Sequence, residues 1–379
     1  MDGSKKMKRN SFKRIAFFHE LDKGGARRSS NEFAKLLKGN YKIDLFLIDE
    51  KLNRDEISFY NSIRFFIFKP KVWGGHNWKV RLYKDTIELV KLYFLHKKIA
   101  KEISKKNYDL VFAFPSKYTQ APFLLRFLKI PIIYYCQEPL RMVYEELFKV
   151  GREVGLGRYY YEKLNRYLRK IIDRENIKKA NTILANSVYT SKNIYSAYKL
   201  KSTPVYMGVD VNFFSPSEKH KKYDILYIGA YDKSENYYLL NKALKLINYP
   251  PEKIRLVFKE KEWISGNSAM RDLYRSSKII ICIGYKEPFG LIPIEALSCG
   301  LPVIALNDGG YKETVKHTVN GLLVKQNPRE LGEAIVEILA DEKTYQKMSK
   351  AARESAIAQW SWANSKKKLL QMIDMTMKK

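Results

Sequence analysis

Two glutamates, Glu287 and Glu295, are separated by seven residues and flank the predicted start of a helix at Leu291. The other residues of this helix are apolar on nearly every side, so the sequence predicts that the helix is buried. A carboxylate in apolar surroundings is costly unless its oxygens accept hydrogen bonds. The hydroxyls of a ribose could donate them, as they do to an acidic residue in dinucleotide sites. From the residues alone, a neighbouring lysine explains Glu295 equally well.

The start of this helix could also bind an anion. The helix follows a predicted buried strand, 279–283, and its first amides and positive dipole end favour a diphosphate. Gly290 precedes it and would let the backbone approach a ligand with no side chain in between. Single glycines and glutamates are weak signals, and a simple turn glycine is the equal alternative.

Strands that alternate with helices along the chain position these residues. The first strand, 14–19, is followed by a loop with Gly24 and Gly25, and the alternation restarts after a turn-rich segment at 206–216. This rhythm predicts an α/β fold of two doubly wound, Rossmann-like domains with a cleft between them. The expected domains are a first Rossmann-like domain at 1–205 and a second at 206–355, followed by a C-terminal helix at 356–379.

The composition agrees with a two-domain globular protein. The chain has 379 residues, 45% of them hydrophobic, which is too long for one ordinary core. No apolar run approaches the roughly 18 residues that a membrane-spanning helix needs. The first 14 residues lack the apolar centre of a signal peptide, so we expect a cytoplasmic protein. The three cysteines lie far apart and are expected to be buried, inert thiols.

The charge balance points to an anionic partner. Seventy basic residues against forty acidic ones give a net charge of +30. Such an excess attracts nucleic acid or an anionic membrane face, and a lysine-biased surface is the plain alternative. Two predicted basic amphipathic helices, 79–106 and 158–179, are each more typical of packed surface helices. Together, on so basic a chain, they favour the inner face of a membrane over nucleic acid. We find no zinc knuckle, helix-turn-helix or aromatic RNA-binding strand, so a nucleic acid partner is not expected.

The segment from Glu287 to Gly310 resembles the signature of glycosyltransferase family 4. It reads E-P-F-G-L-x-x-x-E-A, then G-x-P-V-I-A, and ends in a Gly-Gly loop. Weaker matches follow in the order of the family: Gly24-Gly25-Ala26, Ala185-Asn-Ser187, Gly208-Val-Asp210 and Trp360-Ser-Trp362. The resemblance covers nearly the whole chain, but only the Glu287–Gly310 segment is specific.

The resemblance implies a GT-B fold that holds a nucleotide-sugar donor mainly in the second domain, 206–355, and has the first domain, 1–205, on the acceptor side. It also implies that the C-terminal helix, 356–379, packs back toward the first domain. Glu295 would then bind the ribose, Glu287 would lie beside the transferred sugar, and Gly24 and Gly25 would close onto the diphosphate. The backbone of three consecutive residues would hold sugar hydroxyls and phosphate: Phe289, Gly290 and Leu291. The resemblance implies no metal and no cofactor, the nucleotide-sugar being a substrate.

The chain departs from the family pattern at its charged positions. Gln137 replaces a histidine, so a role in positioning is expected rather than proton transfer. Ala230 follows Gly229 where the family has an arginine, and Glu235 occupies the position of a lysine. We therefore expect Lys233 to supply the cation for the donor diphosphate, with Lys259 as the second candidate.

These features predict a retaining glycosyltransferase that moves a sugar from a nucleotide-sugar to a glycan or lipid-linked acceptor. A GT-B-shaped protein that binds nucleotide-sugars with weak or no turnover is the alternative, because the family arginine and histidine are missing. A sugar-nucleotide epimerase on the same fold is a third reading, with no evident acid–base pair to support it.

Overall fold

The computed structural model describes residues 12–22, 24–48, 54–69, 78–218, 220–262, 264 and 266–378. These residues form two compact units. The first ends at Leu184 and also includes the chain from Leu369 onward, and the second comprises Ala185–Lys368.

The sheet that begins the chain is built from buried apolar strands in the order β3-β2-β1-β4-β5-β6-β7. The paired registers of its first five strands are parallel, and β1 lies between β2 and β4. Central strands of a parallel sheet are covered on both faces, which explains continuous runs such as Ile15-Ala-Phe-Phe18. The strands are β1 Arg14–His19, β2 Lys42–Ile48, β3 Ser62–Phe66, β4 Leu110–Ala113, β5 Ile132–Cys136, β6 Thr182–Ala185 and β7 Thr203–Pro204.

Helices connect these parallel strands. One of them is interrupted, because a π-helical turn at Lys84–Glu88 joins α3 to α4 and makes a single long rod. The sequence predicted this rod as one helix over 79–106. The helices before the second unit are α1 Gly25–Leu37, α2 Arg54–Ile57, α3 Trp78–Tyr83, α4 Leu89–Ser104, α5 Arg141–Tyr144 and α6 Leu156–Ile177.

The second sheet has five parallel strands in the order β12-β11-β10-β8-β9. The chain order reverses between β8 and β10, and loops that follow the strands at such a reversal form the usual ligand crevice of this class of sheet. The strands are β8 Tyr223–Gly229, β9 Ile254–Phe258, β10 Ser277–Cys282, β11 Val303–Leu306 and β12 Gly321–Val324.

The helices of the second unit begin with clear local signals. Ser187 caps its helix by accepting a bond from the amide of Thr190 at 2.9 Å, and Asn327 caps another whose first residue is Pro328. These helices are α7 Val188–Tyr198, α8 Tyr237–Leu246, α9 Asn267–Arg275, α10 Leu291–Ser298, α11 Tyr311–Thr314, α12 Pro328–Ala340, α13 Glu342–Trp360 and α14 Trp362–Met377.

The α/β class with two doubly wound parallel sheets is confirmed. The units and the expected domain ranges differ in detail: residues 185–205 group with the second unit, and α14 contributes its residues from Leu369 onward to the first. Among the described residues, no helix is long and apolar enough to cross a membrane. The expectation for the amino-terminal segment concerns residues 1–14, of which 1–11 lie outside the described residues.

Candidate functional site

The loops after β8 and β10 are tied together where the strand order of the second sheet reverses. The amide of Tyr285 donates to the carbonyl of Ser234 at 2.6 Å. The side-chain amide of Asn236 donates to the carbonyl of Ile283 at 3.1 Å. These cross-loop bonds fix the position of the polar side chains that each loop carries.

The loop that contains Glu287 is anchored from a second direction by α7. The hydroxyl of Ser187 donates to the carbonyl of Pro288 at 2.6 Å while it also caps its own helix. Glu313 of α11 accepts bonds from the first amides of the same helix, Val188 at 2.9 Å and Tyr189 at 2.7 Å. A carboxylate at a helix start is favourable, so these contacts hold the loop against a rigid element.

The Gly-Gly loop after β11 packs against the same segment. The amide of Gly310 donates to the carbonyl of Glu287 at 2.7 Å. A β-carbon on Gly309 would lie 2.5 Å from that carbonyl, and one on Gly310 would lie 2.5 Å from the carbonyl of Pro288. Both glycines are therefore required by backbone packing, whether or not a ligand binds.

Gly290 precedes α10 with a φ of +88°, a conformation that other residues rarely adopt. The side chain of Phe289 is buried, with its ring 5.7 Å from Tyr206 and 5.6 Å from Trp360. Gly290 and Phe289 are both buried, so neither offers an exposed side chain to a ligand. Leu291 is the first residue of α10.

Glu295 lies on α10 and is 2% exposed, which confirms that its helix is buried. Its Oε2 accepts a bond of 2.9 Å from the hydroxyl of Tyr274, itself fully buried on α9. The sequence did not predict this tyrosine partner. Its hydroxyl offsets part of the cost of burying the carboxylate. The role of Glu295 in ribose binding stays a prediction.

Two carboxylates approach Gly284 from the two tied loops. A β-carbon on Gly284 would lie 3.8 Å from Oε2 of Glu235, 3.9 Å from Oε2 of Glu287 and 3.2 Å from the hydroxyl of Tyr311. Glu235 follows β8 and Glu287 follows β10, so the sheet topology brings them together. Carboxylates accept hydrogen bonds and suit the hydroxyls of a sugar.

A lysine joins this group from the next strand. The Nζ of Lys259, the residue after β9, lies 3.1 Å from Oε1 of Glu235. Lys233 is exposed in a short helical turn capped by Asp232. The structure therefore gives the second candidate, Lys259, an ion pair within the cluster, although the sequence ranked Lys233 first.

Neighbouring groups stay protonated. Burial, and then the charges of Glu287, Cys282 and Glu235, hold the pKa of Tyr311 well above its ordinary value. Burial, and then the same two glutamates, also raise the pKa of Cys282. All three cysteines are free and buried, as the sequence predicted. The titratable groups available for ligand chemistry here are thus the carboxylates and Lys259.

The predicted residues of the first unit follow two of its strands, β1 and β5. Gly24 and Gly25 are exposed at the start of α1, directly after the loop that leaves β1. Gln137 follows β5, and its side-chain amide donates to the hydroxyl of Ser29 on α1. A β-carbon on Gly24 would meet nothing within 4 Å, so the space beside this glycine is open.

Sequence reasoning missed three supporting residues for different reasons. Ser187 lies directly before α7, where a serine is a typical helix cap, but its bond to the Pro288 carbonyl has no signal in the sequence. Tyr274 and Glu313 carry no such signal, because their partners lie on other elements.

Comparisons with known proteins find a family model and relatives that are similar to parts of this chain. Residues 259–355 match the family described as Glycosyl transferases group 1, a range that begins at Lys259 and includes the Glu287–Gly310 segment. The chain is 24% identical over 329 residues to human Alpha-1,3/1,6-mannosyltransferase ALG2, covering 74% of this chain and 75% of that protein. It is 38% identical over 88 residues, 23% of each chain, to a GDP-mannose-dependent alpha-(1-6)-phosphatidylinositol monomannoside mannosyltransferase of Mycobacterium tuberculosis.

Solved structures share the fold. The Anabaena protein HepE, in complex with UDP and glucose, superposes with a TM-score of 0.66 at 16% identity, covering 95% of this chain and 99% of that one. The GT-B fold is therefore confirmed, and the resemblance is confirmed at the level of the group 1 glycosyl transferases. The chain spans less than two thirds of the first curated relatives it matches: 64%, 30% and 58% of their lengths.

Proposed function

We propose that this protein is a retaining glycosyltransferase that transfers a sugar from a nucleotide diphosphate donor to a glycan or lipid-linked acceptor. One observation carries the proposal: Glu287 and Glu235 converge beside Gly284, and Lys259 pairs with Glu235, where the strand order of the second sheet reverses. The arrangement offers hydrogen-bond acceptors for a sugar and positive charge for a diphosphate.

The diphosphate binds at the start of α10. The helix dipole contributes positive potential there, and the turn at Gly290 lets the backbone come close. Glu287 accepts hydrogen bonds from hydroxyls of the transferred sugar. Glu295 binds the ribose, with its carboxylate oriented by the hydroxyl of Tyr274.

Lys259 neutralises the charge that develops on the leaving diphosphate. Preorganised charge of this kind is a large term in such reactions. Glu235 positions the lysine through their ion pair, which replaces the arginine and lysine that the family carries at residues 230 and 235. The positive charge thus comes from the residue that follows β9, the strand paired with β8. Transfer proceeds without a metal, so EDTA should leave the rate unchanged.

Relatives guide the choice of substrates. HepE was solved with UDP and glucose, and the relative from Mycobacterium tuberculosis is named for GDP-mannose and a phosphatidylinositol mannoside. UDP-glucose and GDP-mannose are therefore the first donors to test. Gly24, Gly25 and Gln137 of the first unit are proposed to contact donor and acceptor. We also propose association with an anionic membrane face on the cytoplasmic side.

Two measurements test the function. Ligands that bind only the folded protein raise its melting temperature, so UDP-, GDP- and ADP-sugars are first screened by thermal shift. The donor that binds is then incubated with glycan and lipid-linked acceptors, and the product anomer is read by NMR. A retained anomeric configuration supports the proposal, and an inverted one contradicts the retaining mechanism.

The alternative is a nucleotide-sugar-binding protein without turnover. Ala230 and Glu235, at positions where the family has cations, favour it. It predicts a thermal shift with a donor but no release of nucleotide diphosphate with any acceptor. Transfer above the rate of the Glu287→Gln variant excludes this alternative.

A further inference from the structure

Helix α6 of the first unit buries a mostly polar face and exposes an apolar one, the reverse of the usual arrangement in a surface helix. Its buried residues are mostly polar, and they include Glu162, Asn165, Asp173 and Asn176. Its large apolar side chains are exposed at helical spacing, in one stripe: Leu156, Tyr160, Leu164, Tyr167, Leu168 and Ile171. A surface helix normally turns its apolar stripe to the core.

Hydrogen bonds to the protein fix this orientation. Asp173 accepts from the amide of Ala121 at 3.0 Å, and Asn176 donates to the carbonyl of the same residue at 2.6 Å. Arg169 donates to the carbonyl of Tyr118 at 2.7 Å. Rolling the helix to bury its apolar stripe would leave these groups without partners, which is costly for buried donors and acceptors. The outward stripe is therefore a stable feature of the folded unit.

The rod formed by α3 and α4 lies against α6 and extends the exposed surface. Asp85, in the π-helical turn, accepts bonds from the hydroxyl of Tyr161 at 2.9 Å and from the side-chain amide of Asn165 at 3.0 Å. On the solvent side of α4, Val90 and Phe94 are exposed one turn apart. Two neighbouring helices thus present apolar side chains to solvent.

Positive charge borders both stripes. Exposed lysines along the rod are Lys79, Lys84, Lys91, Lys97, Lys98 and Lys101, and among the described side chains from 79 to 104 no acidic residue is exposed. On α6, Arg158 and Lys163 are exposed, Lys170 and Arg174 are half-buried, and Glu175 is its exposed acid.

We propose that this basic-apolar face, formed by the outward sides of α3–α4 and α6, docks on an anionic lipid bilayer. The apolar stripe enters the headgroup and acyl boundary while the lysines and arginines contact lipid phosphates. Tyrosine and leucine are suited to that depth, because a tyrosine hydroxyl can stay at the headgroup level. The stripe from Leu156 to Ile171 covers about 22 Å of helix, enough to lie flat along the surface.

Other occupants fit the surface less well. A nucleic acid would use the lysines but leave Leu164 and Phe94 in water, because its outer surface is charged phosphate. A second copy of this chain would bring two strongly basic faces together, which repel each other. The bilayer satisfies both the apolar and the charged groups.

Vesicle binding tests the proposal without reference to catalysis. The full chain is sedimented with phosphatidylcholine vesicles that contain or lack phosphatidylglycerol. We expect binding to the anionic vesicles that weakens with salt. The variant Tyr160→Ser/Leu164→Glu should lose about tenfold or more in affinity, because it removes two of the apolar anchors and adds a negative charge.

The second unit offers a matched control. Tyr238 and Leu246 on α8 are 67% and 62% exposed, and Tyr160 and Leu164 are 64% and 60% exposed. Tyr238→Ser/Leu246→Glu makes the same chemical change on another helix and should leave vesicle binding unchanged. Equal losses in both pairs, or equal binding of wild type and the α6 variant, overturn the proposal.

A depth measurement separates docking from simple attraction. When Leu164→Cys is labelled with an environment-sensitive dye, the emission of the dye should shift to the blue on anionic vesicles. The emission of the same dye on Leu246→Cys should not shift. The native cysteines are buried and will not compete for the label. Light scattering provides the last check. Dimers of the wild type that the Tyr160→Ser/Leu164→Glu change dissociates would assign this face to self-association and overturn the proposal.

Discussion

The carboxyl edges of the two parallel sheets handle polar groups in opposite ways. At the edge of the second sheet, Glu235, Glu287 and Lys259 are partly exposed and held by loops that hydrogen bond to each other. At the edge of the first sheet, His19 is the last residue of β1 and Glu20 follows it, and both side chains are buried. Both carboxylate oxygens of Glu20 and both nitrogens of His96 lack a hydrogen-bond partner among the described residues.

The reachable polar groups of the second edge can serve a ligand, whereas the buried ones of the first edge lower the stability of the folded protein. Polar groups that are preorganised and reachable can exchange water for a substrate. Polar groups that are buried and unsatisfied penalise the folded state instead. His96 and Glu20 are only weakly paired, with 3.6 Å between Nε2 and Oε1. We therefore expect substitutions of Glu235, Glu287 or Lys259 to change activity, and substitutions of the buried His19, Glu20 or His96 to change stability.

Replacing Glu287 should give the largest effect on transfer. Glu287→Gln removes the charge of the proposed sugar acceptor but keeps its shape, so we expect transfer to fall by about a hundredfold to a thousandfold. The affinity for free nucleotide should change little, because Glu287 is proposed to contact the sugar and not the nucleotide. Steady-state kinetics and nucleotide titration measure the two quantities.

Glu333→Gln is the control, an exposed carboxylate on α12 that should leave both quantities unchanged. Full transfer by Glu287→Gln would remove the residue from the reaction.

Lys259→Ala should reduce transfer by about tenfold to a hundredfold, because the leaving diphosphate loses its cation. Lys233→Ala should have a smaller effect. Lys253→Ala serves as the control for a lost surface lysine, because Lys253 is exposed and directly precedes β9, the strand that Lys259 follows. A greater loss in the Lys233 variant would reverse the assignment in favour of the residue that the sequence ranked first. Glu235→Gln should weaken transfer less, since it frees the lysine without removing it.

The pair of Glu295 and Tyr274 should affect nucleotide affinity and stability together. Glu295→Ala removes the proposed ribose acceptor and also the acceptor of the buried Tyr274 hydroxyl, which costs about 1–3 kcal/mol of unfolding free energy. Tyr274→Phe should weaken nucleotide binding less. The double variant should show a coupling of about 0.5–3 kcal/mol in urea unfolding. Unchanged nucleotide affinity in a folded Glu295→Ala protein would exclude Glu295 from the site.

Local patterns account for what the sequence predicted well. The alternation of strands and helices gave the fold, and the apolar residues around Glu295 gave its burial. Contacts between distant elements were out of reach. The ion pair of Lys259 with Glu235 exists because β9 pairs with β8, and the hydroxyl of Tyr274 reaches Glu295 because α9 lies near α10. Neither follows from spacing along the chain.

Helix α6 shows a different limit. Its periodicity correctly predicted an amphipathic helix, yet periodicity fixes two faces and not which of them turns inward. The usual rule places the apolar face in the core. Here the buried acceptors and donors around Ala121 reverse it, and these became visible only with the fold.

The smallest expected effect tests the first edge through pH. Burial, and then the charge of Arg27, lower the pKa of His19 from 6.5 to about 3. Its Nδ1 accepts from the amide of Leu21 at 3.4 Å, which also requires the neutral ring. Above pH 6.5 the ring is neutral in both states and this group has no effect on stability. Below it the unfolded chain takes up a proton that the folded protein refuses, so stability falls as the pH falls towards 3. Between pH 7.5 and 5.5 the loss should be about 1.4 kcal/mol.

Urea unfolding at both pH values should show this loss in the wild type and in His220→Gln, which replaces an exposed histidine of the second unit. His19→Gln should lack it, with transfer at pH 7.5 maintained in the folded protein. An equal pH dependence in all three proteins would show that folding does not lower the pKa of His19.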